Sequence, residues 1–357
     1  MRRALRLAAR ARGRTSPNPM VGAIIVRNGR IVGEGWHPGA GKPHAEVVAL
    51  QAAGQKARGA TLYVTLEPCC HWGRTPPCVD SIIAAGIRRI VAAQVDPDPR
   101  VSGKGADKLR AAGIEVEFGV LGQQAARLIE AHHKYVTTRR PFVTLKLACS
   151  LDGKIATASG QSQWITGEQA RRFVHRLRAE SDAAMVGAGT VLADDPLITA
   201  RLVSASKQPL RVVIDGKART PADARVLKAA SARTLVVVGA SASRQAEGLR
   251  AAGAEVLSLP DADGRIDLGS VLDELGRREI TTLLVEGGAT LAAALVEARL
   301  VDKFIFILAP ILIGGAEAPS AIAGAGARVL EQAARLRDVQ VRRLGQDILV
   351  EGYPCYG

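Results

Sequence analysis

The feature that most constrains this chain is a break. Two runs of short β-branched stretches alternating with helix-period segments are separated at Thr138-Arg139-Arg140-Pro141, where the proline discourages helix at the residue before it. Strands alternating with helices imply an α/β sheet, and the break implies two of them: residues 1–138, a linker at 139–141, and residues 142–357. In the first run, strands are predicted over 21–27 and 30–34, joined by Asn28-Gly29, the two-residue signature of a tight hairpin. Further strands follow over 61–66, 88–94 and 114–118, with helices over 1–12, 44–57, 79–85, 106–112 and 123–137. In the second run, strands are predicted over 142–147, 183–186, 210–214, 234–238, 282–285 and 303–308, with helices over 169–180 and 290–297.

Composition narrows the function classes. The chain has 357 residues, 47% of them apolar, yet no apolar run approaches the about 20 residues of a membrane helix. Arginines interrupt Met1-Arg2-Arg3-Ala4-Leu5-Arg6 too often for a signal-peptide core. Cys69, Cys70, Cys78, Cys149 and Cys355 are too few and too uneven for a disulfide scaffold. A cytoplasmic protein with no membrane partner is expected. The net charge of +14 suits either nucleic acid or an anionic small molecule. Aromatics make up 3%, too few for base-stacking platforms, and the arginines are scattered. A phosphorylated small molecule is therefore the expected partner, and nucleic acid is not.

Two groups of residues carry chemistry. In the first run, His44-Ala45-Glu46 opens a helix, Pro68-Cys69 follows a strand, and Cys78 precedes a helix. One imidazole and two thiolates fill three corners of a tetrahedral zinc, and an open fourth corner activates water near neutral pH. Glu46, two residues from His44, is placed to handle the water's proton without binding the metal. The zinc-deaminase signature is H-x-E followed by P-C-x-x-C; here eight residues separate Cys69 from Cys78, so on spacing alone Cys70 and His71 are rival ligands. A closed structural zinc on Cys69, Cys70, His71 and Cys78 would leave His44-Ala45-Glu46 unexplained. Asn18 offers a donor and an acceptor to a pyrimidine edge, and Arg74 and Lys42 are candidates for a phosphate. In the second run, Gly287-Gly288 lies between a strand and a helix, where free backbone amides can meet a phosphate. A full G-x-G-x-x-G is absent, since Gly187-Ala188-Gly189 is followed at the third position by Leu192.

Pro17-Asn18-Pro19-Met20-Val21-Gly22, His44-Ala45-Glu46 and the stretch Thr65-Leu66-Glu67-Pro68-Cys69-Cys70-His71-Trp72-Gly73-Arg74-Thr75-Pro76-Pro77-Cys78 resemble the bifunctional riboflavin-biosynthesis deaminase/reductase family. So do Lys146-Leu147-Ala148-Cys149-Ser150-Leu151-Asp152-Gly153-Lys154, Ser162-Gln163-Trp164-Ile165-Thr166, the segment from Gly187 to Pro196, and Val285-Glu286-Gly287-Gly288-Ala289-Thr290-Leu291. The resemblance implies a cytidine-deaminase-like three-layer domain followed by a dihydrofolate-reductase-like domain. It implies that His44, Cys69 and Cys78 bind one zinc ion, that Glu46 shuttles protons, and that Asn18, His71 and Arg74 contact the pyrimidine and its ribose phosphate. In the second half it implies NADPH beside Ala148, Trp164, Thr190, Asp194, Gly288, Ala289, Thr290, Leu291, Ala292, Ala293 and Ala294. Ser162, Arg178, Leu197, Arg201 and Glu286 would then contact the substrate, Arg178 and Arg201 at its phosphate.

The implied chemistry is loss of the 2-amino group from 2,5-diamino-6-ribosylamino-4(3H)-pyrimidinone 5′-phosphate, then reduction of the ribosyl group at C1′ to ribityl. Asp194 and Lys146 are both candidates for moving the proton in the second step. Cys149 and Gly216 depart from the family pattern. Gly216 removes a hydroxyl contact to the cofactor, and Cys149 reads as a packing residue. A homo-oligomer, dimer or tetramer, is expected. The competing reading is a tRNA deaminase with an appended domain, which leaves the second run without a role.

Overall fold

The computed structural model describes residues 1–73, 75–228 and 232–356. The chain forms two compact units, Met1–Arg140 and Pro141–Gly357. The first begins with helix α1 (Arg2–Ala9), strands β1 (Gly22–Arg27) and β2 (Arg30–Trp36), and helix α2 (Ala45–Ala53). Strand β3 (Thr61–Val64), helix α3 (Cys78–Ala84), strand β4 (Arg89–Ala92), helix α4 (Lys104–Ala111) and strand β5 (Glu115–Phe118) follow. Helices α5 (Gly122–Leu128) and α6 (Glu130–Thr138) close the unit. The sheet order is β2-β1-β3-β4-β5, antiparallel through β1 and parallel from β3 to β5.

Asn28 and Gly29 both take positive φ (51° and 71°), as the tight hairpin between β1 and β2 requires. Period-two alternation then sorts the faces. Ala23 and Ile25 pack with Ala45 and Ala49 of α2, while Ile24 packs with Ala4 and Leu7 of α1. Gly33 and Gly35 lie on the α2 face, where an added Cβ would run into the carbonyls of Ala49 and Ala45. The close approach of helix to sheet seats His44, at the start of α2, beside the strand ends. Two expectations need correction. Residues 1–12 give a helix only over Arg2–Ala9, and 123–137 is two helices broken at Ile129 (φ −113°, ψ 20°).

Among its described residues the second unit has eleven strands, nine of them in one sheet. They begin with β6 (Phe142–Ser150), helix α7 (Glu168–Glu180), β7 (Ala183–Gly187), helix α8 (Ala188–Asp194) and β8 (Leu210–Ile214). Helix α9 (Arg225–Lys228), β9 (Thr234–Gly239), helix α10 (Glu247–Ala251) and β10 (Glu255–Leu259) come next. After a small hairpin of β11 (Asp261–Ala262) and β12 (Arg265–Ile266) come helix α11 (Leu268–Arg277), β13 (Thr282–Glu286), helix α12 (Ala289–Glu297) and β14 (Lys303–Ala309). The chain ends in a long hairpin, β15 (Arg335–Leu344) and β16 (Asp347–Cys355). The order of the main sheet is β10-β9-β8-β7-β13-β6-β14-β16-β15, parallel from β10 to β14 and antiparallel beyond. Its central strands are buried on both faces, which explains their near-continuous Val, Leu and Ile. Cys149 is buried in that core, in keeping with a packing role. No helix among the described residues is long and apolar enough to cross a membrane.

Candidate active sites

In the first unit, three side chains converge from separate elements. His44 is the residue before α2, Cys69 lies on the loop after β3, and Cys78 is the first residue of α3. His44 Nδ1 stands 2.9 Å from Cys78 Sγ and 3.5 Å from Cys69 Sγ, and the sulfurs are 3.4 Å apart. Tetrahedral zinc with Zn–S near 2.3 Å and Zn–N near 2.0–2.1 Å has edges of about 3.8 Å between sulfurs and about 3.6 Å between sulfur and nitrogen. The triangle is slightly tighter than that, and its donor set is right for zinc. It is the one group of three or more metal-capable side chains among the described residues, and Cys70 and His71 lie outside it.

Hydrogen bonds prepare the ligands. Cys69 Sγ accepts the Cys78 backbone N–H at 3.3 Å. With the Cys78 thiol and His44 also beside it, Cys69 is drawn down to about 4, whereas Cys78 is raised. The loop that carries Cys69 is fastened by Glu67. Its buried carboxylate accepts the backbone N–H groups of Asp96 (3.1 Å), Gly103 (2.9 Å) and Ala106 (3.0 Å).

Glu46 is 4% exposed, in the first turn of α2. Burial, and next the charge on Cys69, push its carboxyl up to about 7. A group poised there can hold and release a proton at neutral pH. Asn18 donates to His37 Nε2 at 3.0 Å, and His37 Nδ1 lies 3.1 Å from the Pro43 carbonyl. The His37 tautomer that satisfies both bonds donates from Nδ1 and accepts at Nε2. The His37 and His44 rings meet edge to face at 5.3 Å, so Asn18 belongs to the same neighbourhood. His71 is half-buried, and its Nδ1 has no hydrogen-bond partner among the described residues. Lys42 is exposed, and Arg74 lies outside the described residues. Sequence reasoning missed His37 and Asp96, whose carboxyl is raised to about 7 chiefly by burial. Neither falls in a recognisable spacing.

In the second unit, β6 and β13 place Lys146 and Glu286 side by side. Glu286 takes a bidentate bond from Arg178 of α7, with Arg178 Nη2 at 2.9 Å, and Lys146 Nζ lies at 3.4 Å. Burial opposes the charge on Glu286, yet the two cations win and hold its carboxyl down to about 2. Burial likewise lowers Lys146, with Glu286 partly offsetting it. His175 accepts the Arg201 N–H at 3.0 Å. The Arg201 guanidinium is lowered by burial and then by the nearby charges of Arg178 and Arg225.

Ser162 donates to Asp194 at 2.6 Å. Trp164 is 65% exposed, with the Arg171 guanidinium 4.9 Å from its ring centre. Gly288 precedes α12 with φ +80°, and a Cβ there would come within 2.9 Å of Thr190 Oγ1. Ala289 and Thr290 are at the accessible start of α12, whereas Leu291, Ala292 and Ala293 are buried and Ala294 is half-buried. Ala148 and Leu197 are half-buried. Gly216 has its own explanation, since a Cβ there would overlap the Gly264 carbonyl of the β11–β12 hairpin.

Comparison with known proteins agrees with both halves. Residues 1–94 match the cytidine and deoxycytidylate deaminase zinc-binding region, and residues 141–350 match the RibD C-terminal domain. The riboflavin biosynthesis protein RibD of Aquifex aeolicus is 45% identical over 350 residues, 98% of this chain and 96% of that protein. RibD of Escherichia coli K12 is 43% identical over 98% of this chain and 96% of its own length. Among solved structures, Acinetobacter baumannii RibD is 40% identical with a TM-score of 0.88, covering 99% of this chain and 98% of that one. The diaminohydroxyphosphoribosylaminopyrimidine deaminase/5-amino-6-(5-phosphoribosylamino)uracil reductase of Thermotoga maritima is 39% identical with a TM-score of 0.87, covering 99% and 97%. With the cytidine-deaminase-like and dihydrofolate-reductase-like halves both present and in order, the chain belongs to the RibD family of bifunctional deaminase/reductases of riboflavin biosynthesis.

Proposed function

We propose that the first unit deaminates 2,5-diamino-6-ribosylamino-4(3H)-pyrimidinone 5′-phosphate and that the second reduces the ribosyl group of the product to ribityl with NADPH. The observation that carries the reading is the His44, Cys69 and Cys78 triangle with buried Glu46 at its side. His44 Nδ1 and the two thiolates would hold a zinc ion, which when bound supplies water activated near neutral pH. Glu46 takes the proton from that water and returns protons to the ring and to the departing ammonia, which its raised carboxyl suits. Asn18, oriented by His37, addresses the pyrimidine edge, and His71 is assigned to the ribose phosphate together with Arg74, the latter on its place in the sequence alone.

In the second unit, Gly288 and the first residues of α12 receive the cofactor phosphates, Thr190 flanks them, and Trp164 covers the exposed side. NADPH bound there supplies the hydride. Arg178 and Arg201 hold the substrate phosphate, and Ser162, Leu197 and Glu286 complete the pocket. Lys146, with its ammonium lowered by burial and Glu286 at 3.4 Å, and Asp194, which accepts from Ser162, are the two candidate proton carriers. The enzyme works in the cytoplasm and self-associates. The reason for self-association is β15, an edge strand that bares Val339 and Val341, which a second copy would cover.

Incubation with the diaminopyrimidine nucleotide, with and without NADPH, tests the reading by following ammonia and nicotinamide absorbance separately. Ammonia is expected in both arms, and NADPH oxidation only after ammonia has formed. NADPH oxidation without prior ammonia release would overturn the order. A tRNA deaminase would instead show salt-sensitive tRNA binding.

A further inference from the structure

The loop between Cys69 and Cys78 carries one more polar contact to the cluster. His44 directs Nδ1 at the two sulfurs, so its Nε2 faces away from them. There Nε2 meets Thr75 Oγ1 at 2.9 Å. A histidine that lends its Nδ1 lone pair to a metal carries its proton on Nε2. A group that accepts the hydrogen bond from that N–H fixes both the tautomer and the plane of the ring. We infer that Thr75 is the positioning residue of the metal centre, its hydroxyl accepting from His44 Nε2–H and holding the imidazole square to the ion. The inference rests on the zinc reading of the first unit.

The local chain is built to keep Thr75 in place. Thr75 precedes Pro76, which restricts its backbone to extended conformations. The Gly73 N–H donates to the Thr75 carbonyl at 3.2 Å. Pro77 then precedes α3, whose first residue is Cys78. One short, stiff segment therefore delivers both a sulfur ligand and the support of the nitrogen ligand. This gives the long Cys69–Cys78 spacing a purpose, since the added residues bring a hydroxyl back to the imidazole.

The test measures zinc affinity of the full-length chain by competition with a chromogenic chelator, for wild type, Thr75→Val and Thr75→Ser. Valine keeps the shape and removes the acceptor, and serine keeps the acceptor. Thr75→Val is expected to bind zinc about 10- to 100-fold more weakly, and Thr75→Ser within about threefold of wild type. Metal-free thermal unfolding should be the same for all three. In the zinc-loaded chain, the His44 Nε2 proton should be slow to exchange by NMR in wild type and Thr75→Ser, and fast in Thr75→Val. Unchanged affinity in Thr75→Val would overturn the inference. So would equal weakening in Thr75→Ser, or a metal-free destabilisation common to both variants, since each points to packing. A wild-type chain that fails to bind zinc would instead remove the zinc reading itself.

Discussion

Replacing Glu286 by glutamine tests the buried charge cluster of the second unit. The carboxylate sits between Arg178 and Lys146, and these cations bring it from 4.5 to about 2 despite full burial. A depression of that size corresponds to about 3 kcal/mol of folding free energy at neutral pH. The sign follows from proton uptake. The unfolded chain protonates first as pH falls below 4.5, so the contribution is complete above that pH and is lost as pH drops toward 2. Glutamine keeps the shape but leaves two buried cations without their anion, a change that typically costs about 3–5 kcal/mol. For a unit of this size each kcal/mol moves the melting temperature by about 2–4 °C, so a drop of about 6–20 °C is expected. Calorimetry on the full-length chain at pH 7 would read it in the transition that a zinc chelator does not move. Urea titrations repeated downward from pH 7 should show the gap between wild type and Glu286→Gln narrowing below pH 4.5. A shift under about 2 °C, or a gap that stays constant into acid, would refute the electrostatic account.

Other expectations follow from the same geometry. Glu46→Gln should keep zinc and fold but lower ammonia release by at least about 100-fold, measured by coupled assay. His175 is lowered to about 4, first by burial and then by Arg178 and Arg201, so the unfolded chain gains its proton earlier. The second unit should therefore lose up to about 3 kcal/mol between pH 6.5 and 4, and His175→Gln should flatten that slope in urea titrations. Gly105→Ala would press a Cβ against the Pro68 carbonyl and Glu67, displacing the Cys69 loop. Zinc should then bind about tenfold more weakly in chelator competition. Gly288→Trp should raise the KM for NADPH in steady-state assays, because φ +80° and Thr190 leave no room for a side chain.

The parts of the chain that were readable in advance are those where a local rule and the tertiary structure agree. The Asn28-Gly29 hairpin, the buried runs of β8 and β9, and the chain order of both halves are of this kind. The β15–β16 hairpin escaped because β15 is exposed over most of its length and mixes arginine, glutamine and valine without a buried face to impose alternation. Helix α11 carries legible signals of its own, for Asp267 caps Gly269 and Ser270, and Leu268, Val271, Leu272 and Leu275 follow helical spacing. The metal triangle was visible as residue types. The choice of Cys69 and Cys78 over Cys70 and His71 needed the loop's path, which spacing does not contain. Thr75 and His37 act through other side chains, and such partners carry no motif of their own.

Glu67 has a consequence for how the enzyme acquires its ion. Its three amide bonds anchor the Cys69 loop by protein contacts alone. His44 and Cys78 are likewise held by the starts of two packed helices. The socket is therefore finished before any metal arrives, and little binding energy is diverted into ordering the chain. Such an apoprotein should tolerate stripping and reloading: the bound ion still adds to the stability of the first unit by mass action, but the fold does not wait for it, so metal supply would govern activity more than survival.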